Sequence, residues 1–305
     1  MQSDVVNDGI PDIAAALPTL MPAIRRKSIE GWLLVAAAVV LSFYVLFYLV
    51  GKADKPGQLA IITIGGAAVV IYAISAYVQR GHTRQIMPML AETAGMRYSQ
   101  SARDFILALP PRLLPKASVR NGEDLVSGAL GGRQISFAEL TYETGGKNSS
   151  TLFKGIVASF ANQAPMPPFF VVDEAQTKGW FIFSGNINVD DLIPVRSLPG
   201  GSGVTYGVWV SPSANADHPA LDATLKILTD LQYAIGSGAR LFSASSDGVM
   251  MHVALSHKRN LFKIGGLFAN RDQLINDIKL AYQDLTLPLV IVSKLLEAER
   301  AVIQK

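Results

Sequence analysis

Two long stretches without a charged residue lie close together near the N-terminus, and they constrain the fold more than any other feature of the chain. Residues 31–50 read GWLLVAAAVVLSFYVLFYLV, and residues 58–78 read QLAIITIGGAAVVIYAISAYV. A helix of this length spans about 30 Å, which matches the hydrocarbon thickness of a bilayer. Because apolar residues cover all sides of these helices, lipid suits them better than the core of a soluble protein does. Only residues 51–57 separate them, so the sequence predicts an antiparallel transmembrane hairpin within residues 25–84.

Basic residues around this hairpin predict its orientation. They lie mainly on its outer sides: Arg25, Arg26 and Lys27 precede the first stretch, and Arg80 and Arg84 follow the second. The connecting segment carries two lysines. Because cytoplasmic loops of membrane proteins are enriched in lysine and arginine, the five outer residues predict a multi-pass protein with both termini in the cytoplasm.

The composition agrees with a membrane protein that also has a folded domain. Mean hydropathy is +0.29, half of the residues are hydrophobic and 17% are charged, which excludes a disordered chain. The absence of cysteine excludes disulfides and thiolate metal sites. A net charge of +3 is too small to predict a nucleic-acid partner.

The segments flanking the hairpin differ in their patterns. Residues 1–24 have apolar residues at helical spacing but contain three prolines, which indicates either a broken interfacial segment or a floppy tail. Residues 85–116 begin with a helical stripe and end in the proline-rich LPPRLLP, so we expect a helical linker there. Residues 117–305 form the remaining domain, which is cytoplasmic under the predicted orientation.

Within that domain the apolar residues first alternate with period two. GG at 131–132 and GGKN at 145–148 are typical of hairpin loops. Helical patterns follow later, and Pro288 is expected to separate the last two helices. The glycine-rich stretch at 197–204, SLPGGSGV, indicates a possible subdivision of the domain. Runs of strands followed by helices predict an α+β fold, namely a mainly antiparallel β domain with C-terminal helices.

A carboxylate interrupts an apolar row in the predicted hairpins. Ile135 and Phe137 alternate as a buried face requires, yet the next residue on that face is Glu139. If GG is a two-residue loop and GGKN a four-residue loop, Glu139 lies opposite Asp124 on one side and opposite Lys154 on the other. Opposed Cβ atoms lie about 4.5–5.5 Å apart, so the three side chains would form a charged row. The row is either an ion-pair row near the end of the sheet or a ligand site, and a bulge would remove it.

The sequence lacks a complete catalytic or cofactor motif. Its glycine-rich segments do not have the spacing of a phosphate-binding or dinucleotide-binding loop, and its four histidines are not spaced as zinc ligands. We therefore expect no catalytic residue, metal or cofactor. One small basic loop is a candidate contact for lipid headgroups or a protein partner, although a solvated loop is the simpler interpretation. It consists of His257, Lys258, Arg259 and Lys263.

Several segments in a specific order resemble a known family. After the apolar hairpin come GEDLVSGALGGRQISFAEL and TLFKGIVASF, and YGVWVSPSANADHPAL and SHKRNLF follow in the second half. Residues from about 29 to 299 are thereby similar to a family of uncharacterised bacterial membrane proteins, domain of unknown function 3137. The chain departs from that family at residues 161–166, ANQAPM, where members often carry aromatic and basic residues. The resemblance implies a bacterial inner-membrane protein and brings no established activity.

These observations favour a membrane-anchored binding or scaffold protein, whose cytoplasmic domain binds a protein partner or a second copy of the chain. One alternative is a membrane-surface enzyme, or a ligand- or cation-binding protein, that uses Asp124, Glu139 and Lys154. Another is a module that senses anionic lipid through the basic loop. The expected partners are membrane lipid and protein, not nucleic acid.

Overall fold

The structure, a computed structural model, divides into two compact units. The first unit comprises Met1–Ala94 and Phe262–Gln283, and the second comprises Gly95–Leu261 and Asp284–Lys305. The chain therefore passes from one unit to the other three times. The residues that the structure describes are 13–49, 56–162, 165–177, 187–200, 203–234 and 239–303.

The first unit is built on two long helices, α1 (Ile13–Leu49) and α2 (Pro56–Thr93). Each contains a segment long and apolar enough to cross a membrane, Ile24–Tyr48 and Ile61–Thr93, and both segments have a hydropathy of 2.1. Only 11% and 6% of their most apolar windows are buried inside the protein. Phe47, for example, is 90% exposed. The predicted pair of long apolar helices is therefore confirmed, and lipid is the environment that these exposed side chains suit.

Both helices are longer than the predicted spans. α1 begins at Ile13, inside the segment predicted to be broken or floppy, and it contains Pro18 and Pro22. A proline removes one backbone hydrogen bond and bends a helix without necessarily ending it. α2 continues beyond residue 78 as far as Thr93. Residues 1–12 of the predicted N-terminal segment lie outside the described residues.

The two helices run antiparallel. The Ser28 hydroxyl lies 3.3 Å from His82 Nε2, whereas Val35, two turns further along α1, shares a buried cluster with Val78. Gly31 makes this close approach possible, because a Cβ added there would lie 2.3 Å from a methyl carbon of Val78. A small residue at the contact is typical of helix pairs in membranes.

Residues 262–270 form a loop that packs on these helices within the first unit. The Gln79 side-chain amide donates to the Gly265 carbonyl at 2.6 Å. The Trp32 and Phe268 rings meet edge to face, with centroids 5.6 Å apart. This return of the chain to the first unit was not predicted, because no local pattern indicates which distant helix a loop will contact.

The second unit contains a sheet of nine described strands, in which all neighbouring strands are antiparallel. The strands are β1 (Met96–Ser101), β2 (Val119–Leu130), β3 (Arg133–Glu143), β4 (Thr151–Ala161), β5 (Phe169–Asp173), β6 (Ile193–Pro199), β7 (Thr205–Val210), β8 (Arg240–Ser246) and β9 (Met250–Ser256). Their order across the sheet is β1-β2-β3-β4-β9-β8-β5-β7-β6. The helices are α3 (Arg103–Ala108), α4 (Pro219–Ala234) and α5 (Arg271–Ile303). The antiparallel α+β fold class is therefore confirmed.

The two faces of the sheet follow the alternation of the sequence. Leu140 and Tyr142 of β3 belong to a buried apolar cluster on one face, together with Phe153 of β4. Ile135 and Phe137 are buried as well, and their odd-numbered positions direct them to the opposite face. Glu139 lies on that second face.

The C-terminal half of α5 belongs to the second unit. Asp284 forms an ion pair with Arg259, in the loop that follows β9. Near the other end of the helix, a guanidinium nitrogen of Arg300 lies 3.0 Å from where a Cβ of Gly131 would be, at the turn between β2 and β3. The ion pair holds the start of this helical segment against the loop after β9, and Arg300 lies beside the β2–β3 turn.

Three expectations about the elements differ from the structure. The predicted helical linker, residues 85–116, is helical only to Thr93 and over α3, and β1 lies between these helices. The sequence of β1, MRYSQS, has only two apolar or aromatic residues, which is typical of a strand at the edge of a sheet. Pro288 does not separate two helices but lies inside the continuous α5. Residues 197–199 belong to β6 and pair with β7, and the predicted subdivision point at 197–204 lies within the second unit.

Candidate functional site

The polar cluster around Glu139 is organised by an irregularity in β2. Val126 pairs with Phe137, as predicted, but the register then shifts between Glu123 and Val126. Asp124 lies in this bulge with a φ of 57°, a left-handed conformation that is uncommon outside glycine but tolerated by aspartate. Glu123 consequently lies opposite Glu139. The predicted Asp124–Glu139 pairing is therefore wrong.

The register between β3 and β4 also differs from the prediction. Glu139 lies opposite Ile156, and Lys154 lies opposite Thr141. The connection between the strands is seven residues long, 144–150, rather than the four assumed for GGKN. Since the pairing shifts by two residues, every side chain stays on its predicted face while its neighbours change. Lys154 is thus a diagonal neighbour of Glu139, not its direct partner.

Two members of the predicted row have other partners. The Tyr98 hydroxyl of β1 donates a hydrogen bond to Asp124 Oδ1. The Lys154 ammonium group donates to the side-chain oxygen of Asn260, which lies in the loop after β9. These contacts hold Asp124 and Lys154 apart from a common ion pair with Glu139.

Glu139 itself contacts the backbone of the same loop. The Leu261 N–H donates to Glu139 Oε1 at 3.3 Å. Burial raises the pKa of the Glu139 carboxyl from 4.5 to about 7, although the Leu261 hydrogen bond opposes the rise. The Asp124 and Glu123 carboxylates add to the increase in this pKa, and the Lys154 charge opposes it. The three predicted residues are therefore coupled electrostatically, around a carboxyl that binds a proton near neutral pH.

This arrangement limits the chemistry that the cluster can perform. Glu139 can exchange a proton at neutral pH, as a general acid or base does. Among the residues that the structure describes, no group of three or more His, Cys, Asp or Glu side chains is placed to hold a metal ion. The cluster as a ligand or cation site therefore stays a prediction.

Residues that complete the cluster were missed by sequence reasoning. Tyr98 and Asn260 are separated from their partners by 26 and 106 positions, and no local pattern predicts such contacts. Gly122, next to Glu123, was a weak sequence signal for the bulge in β2, since glycine inside a strand often accompanies a bulge.

Two residues of the predicted basic loop are engaged in contacts within the second unit. His257 is buried, and its backbone N–H donates to the Lys154 backbone carbonyl at 2.8 Å. Arg259 is engaged with Asp284, whereas Lys258 is exposed. Lys263 is exposed too but belongs to the first unit. Two of the four predicted contact residues therefore have structural roles inside the second unit.

All five predicted topology determinants lie on the long helices. Arg25, Arg26 and Lys27 are on α1, and Arg80 and Arg84 are on α2. Arg26 and Lys27 form ion pairs with Glu30, at 3.8 Å and 2.5 Å. Because the helices are antiparallel and Ser28 meets His82, the basic residues of both helices gather at the same end of the pair.

Comparisons with known proteins give little guidance. No family model matches the chain, and no curated protein matches it, so membership of the family of domain of unknown function 3137 stays a prediction. Among solved structures, the crystal structure of the mycobacterial trehalose monomycolate transport factor A, TtfA, is similar with 10% sequence identity and a TM-score of 0.33. The similarity covers 67% of this chain and 94% of that one. A TM-score of this size does not establish a shared fold.

Proposed function

We propose that this protein is a membrane-anchored binding protein, in which a two-helix hairpin holds a cytoplasmic β domain that binds an extended segment of a protein partner. The hairpin is the anchor and the edge of the sheet is the binding surface. The proposed location is the bacterial inner membrane, with both termini in the cytoplasm.

The exposure of the helices supports the anchor. Phe43, Phe47 and Tyr72 are 69%, 90% and 77% exposed, and each is surrounded in sequence by other exposed apolar residues. In water, so large a contiguous apolar surface would promote aggregation. In a bilayer it is solvated by lipid tails.

The observation that carries partner binding is the contrast between the two edges of the sheet. β6, at one edge, contains Pro194 and Pro199 and an irregular register with β7, and proline protects an edge from further pairing. β1, at the other edge, has neither proline nor lysine, and Arg97 and Ser99 are exposed. Its outer backbone groups are suited to adding a strand from another chain.

The location is supported by the charge distribution. Five basic residues gather at one end of the helix pair, where α2 leads directly into β1. The positive-inside tendency supports a cytoplasmic location for that end and for the β domain that follows it in the chain. Phosphatase activity from a reporter fused to the C-terminus would contradict this orientation, because such a reporter is active only in the periplasm.

The binding proposal is tested by placing a lysine on each edge. In Ser99→Lys, a second positive charge beside Arg97 should prevent strand addition. In the matched control Ser197→Lys, the same change falls on the protected edge β6, where the native serine contacts Glu174. We expect stoichiometric partners purified from native membranes in mild detergent to be lost only with Ser99→Lys. Equal retention of partners by both variants would reject the β1 edge as the binding surface. If the species lost with Ser99→Lys is a second copy of the chain, the partner is the protein itself.

The cation-binding alternative has less support. Asp124 and Lys154 of the predicted row are held by Tyr98 and Asn260, so the carboxylates are not directed at one point. A divalent cation that raises the melting temperature of the wild type but not of Glu139→Gln would favour that alternative.

A further inference from the structure

A groove lies along one face of α2, within the first unit, and its apolar part lies in the segment that could span a membrane. Its volume is about 580 Å³, and Val69, Tyr72 and Ala73 line its apolar part. It extends along the helix from Val69 to Arg84 and Gln85. At 1.5 Å per residue this is about 22 Å, which exceeds half the thickness of the hydrocarbon core.

The other end of the groove is cationic. Arg80 and Arg84 line it and are exposed. Among the described residues, neither guanidinium takes part in an ion pair. The groove thus joins an apolar channel to two positive charges that have no ion-pair partner in the described part of the chain.

Lys27 of α1 also lines this end in a fixed position, with its charge paired to Glu30. Its ammonium group donates to Glu30 at 2.5 Å and to the Tyr77 hydroxyl at 3.2 Å. It also lies 4.9 Å from the centre of the Tyr77 ring. The absence of a side chain at Gly81 lets the Lys27 stem lie across α2, since a Cβ there would be 3.1 Å from Lys27 Cδ.

We propose that this groove binds one anionic phospholipid of the surrounding bilayer. Its phosphate is held by Arg80 and Arg84 with Lys27 beside them, and one acyl chain lies along Val69 and Ala73. Charge complementarity selects an anionic headgroup over a zwitterionic one, because only the anionic lipid leaves a net negative charge for the arginines. The apolar part selects a lipid over free phosphate, which has no group to fill it. The inference rests on the proposed membrane anchoring and adds a specific ligand to it.

The test uses the full-length chain in micelles of a nonionic detergent, titrated with phosphatidylglycerol or phosphatidylcholine and measured by native mass spectrometry. Arg80→Gln combined with Arg84→Gln removes the two uncompensated charges. Each basic contact contributes about 1 kcal/mol, so we expect phosphatidylglycerol to bind about 30-fold more weakly to this double variant. In the matched control, Arg25→Gln combined with Arg26→Gln, the same charge is lost at the same end of the helices but outside the groove, and affinity should fall less than about threefold.

A second pair of variants tests the apolar part without changing charge. Ala73→Phe fills the groove, whereas Ala68→Phe adds the same ring at an exposed position of α2 outside it. We expect loss of phosphatidylglycerol binding only with Ala73→Phe. Equal effects of both phenylalanine variants, equal effects of both arginine pairs, or equal affinity of the wild type for the two lipids would overturn the proposal.

Two further measurements distinguish the lipid site from a free-anion site and from a failure of the membrane anchor. Inorganic phosphate that competes fully with phosphatidylglycerol for the wild type would assign the cationic end to a free anion and overturn the lipid site. Resistance of the wild type to alkaline carbonate extraction reports the anchor itself. A chain that is extracted contradicts the anchoring, whereas a retained chain without selective lipid binding contradicts only the groove.

Discussion

The carboxyl of Glu139 gives the sharpest prediction about stability. Burial on the sheet raises its pKa from 4.5 to about 7, so the ionised form is less stable in the folded protein than in the unfolded chain. Because the pKa of this carboxyl is higher in the folded than in the unfolded state, its contribution to stability is fully present below about pH 4.5 and is lost as the pH rises through about 7. Glu139→Gln removes the ionisation and retains an oxygen that can accept the Leu261 N–H bond.

The size of the effect follows from the pKa difference. The interval from 4.5 to about 7 corresponds to about 3 kcal/mol. Since the carboxyl is half-buried rather than fully enclosed, solvent reduces this, and we expect Glu139→Gln to stabilise the second unit by about 2 kcal/mol at about pH 8.5. At about pH 5 the folded wild type is largely protonated while the unfolded chain is already mostly ionised, and the two proteins should differ by less than about 1 kcal/mol.

Pulse proteolysis in urea measures this difference on the full-length chain in detergent. The control for the substitution itself is Glu143→Gln, which removes a carboxylate from the same strand. A stabilisation by Glu139→Gln that is equal at both pH values would refute titration of Glu139 as the cause. Destabilisation at the higher pH would show that the ionised carboxylate makes a favourable contact that outweighs its burial.

Three further substitutions test the packing of the second unit. Gly155→Ala would place a Cβ 1.9 Å from the Leu255 carbonyl oxygen on the neighbouring strand, and it should lower the unfolding free energy by about 3 kcal/mol in urea unfolding. Arg259→Ala removes the ion pair with the buried Asp284 and should lower the unfolding free energy by about 2 kcal/mol. In a double-mutant cycle with Asp284→Asn, non-additive effects would assign this loss to the pair. Tyr206→Phe deletes a hydroxyl that donates at 2.6 Å to a buried backbone carbonyl of β8. The loss of this hydrogen bond should cost about 1 kcal/mol of stability and lower the thermal midpoint. An unchanged midpoint would contradict the contact.

Much of the second unit was predictable where contacts are local. The turn at Gly131 and Gly132 was placed correctly, and so was the pairing of Val126 with Phe137. Both depend on a two-residue loop, whose geometry sets the register of the strands beside it. The assignment of Glu139 to the face of Phe137 was also correct, because side chains alternate along any strand.

The candidate cluster was predicted only in part. The bulge at Glu123 moved Asp124 out of the row, and the seven-residue connection shifted Lys154 by two positions. A longer loop leaves several registers possible, and the choice among them depends on packing across the whole sheet. Tyr98, Asn260 and Leu261 entered the site through contacts that no local pattern encodes.

The sequence by itself determined the two long apolar helices, the antiparallel α+β class and the face that carries Glu139. These follow from hydrophobic length and from residue periodicity, which act within one helix or one hairpin. Only the tertiary structure decided that β4 lies beside β9, that residues 262–283 belong with the helices, and that α5 continues through Pro288. Each of these joins parts of the chain that are distant in sequence or overrides a local preference, because the free energy of packing exceeds that of one lost hydrogen bond or one unfavourable residue.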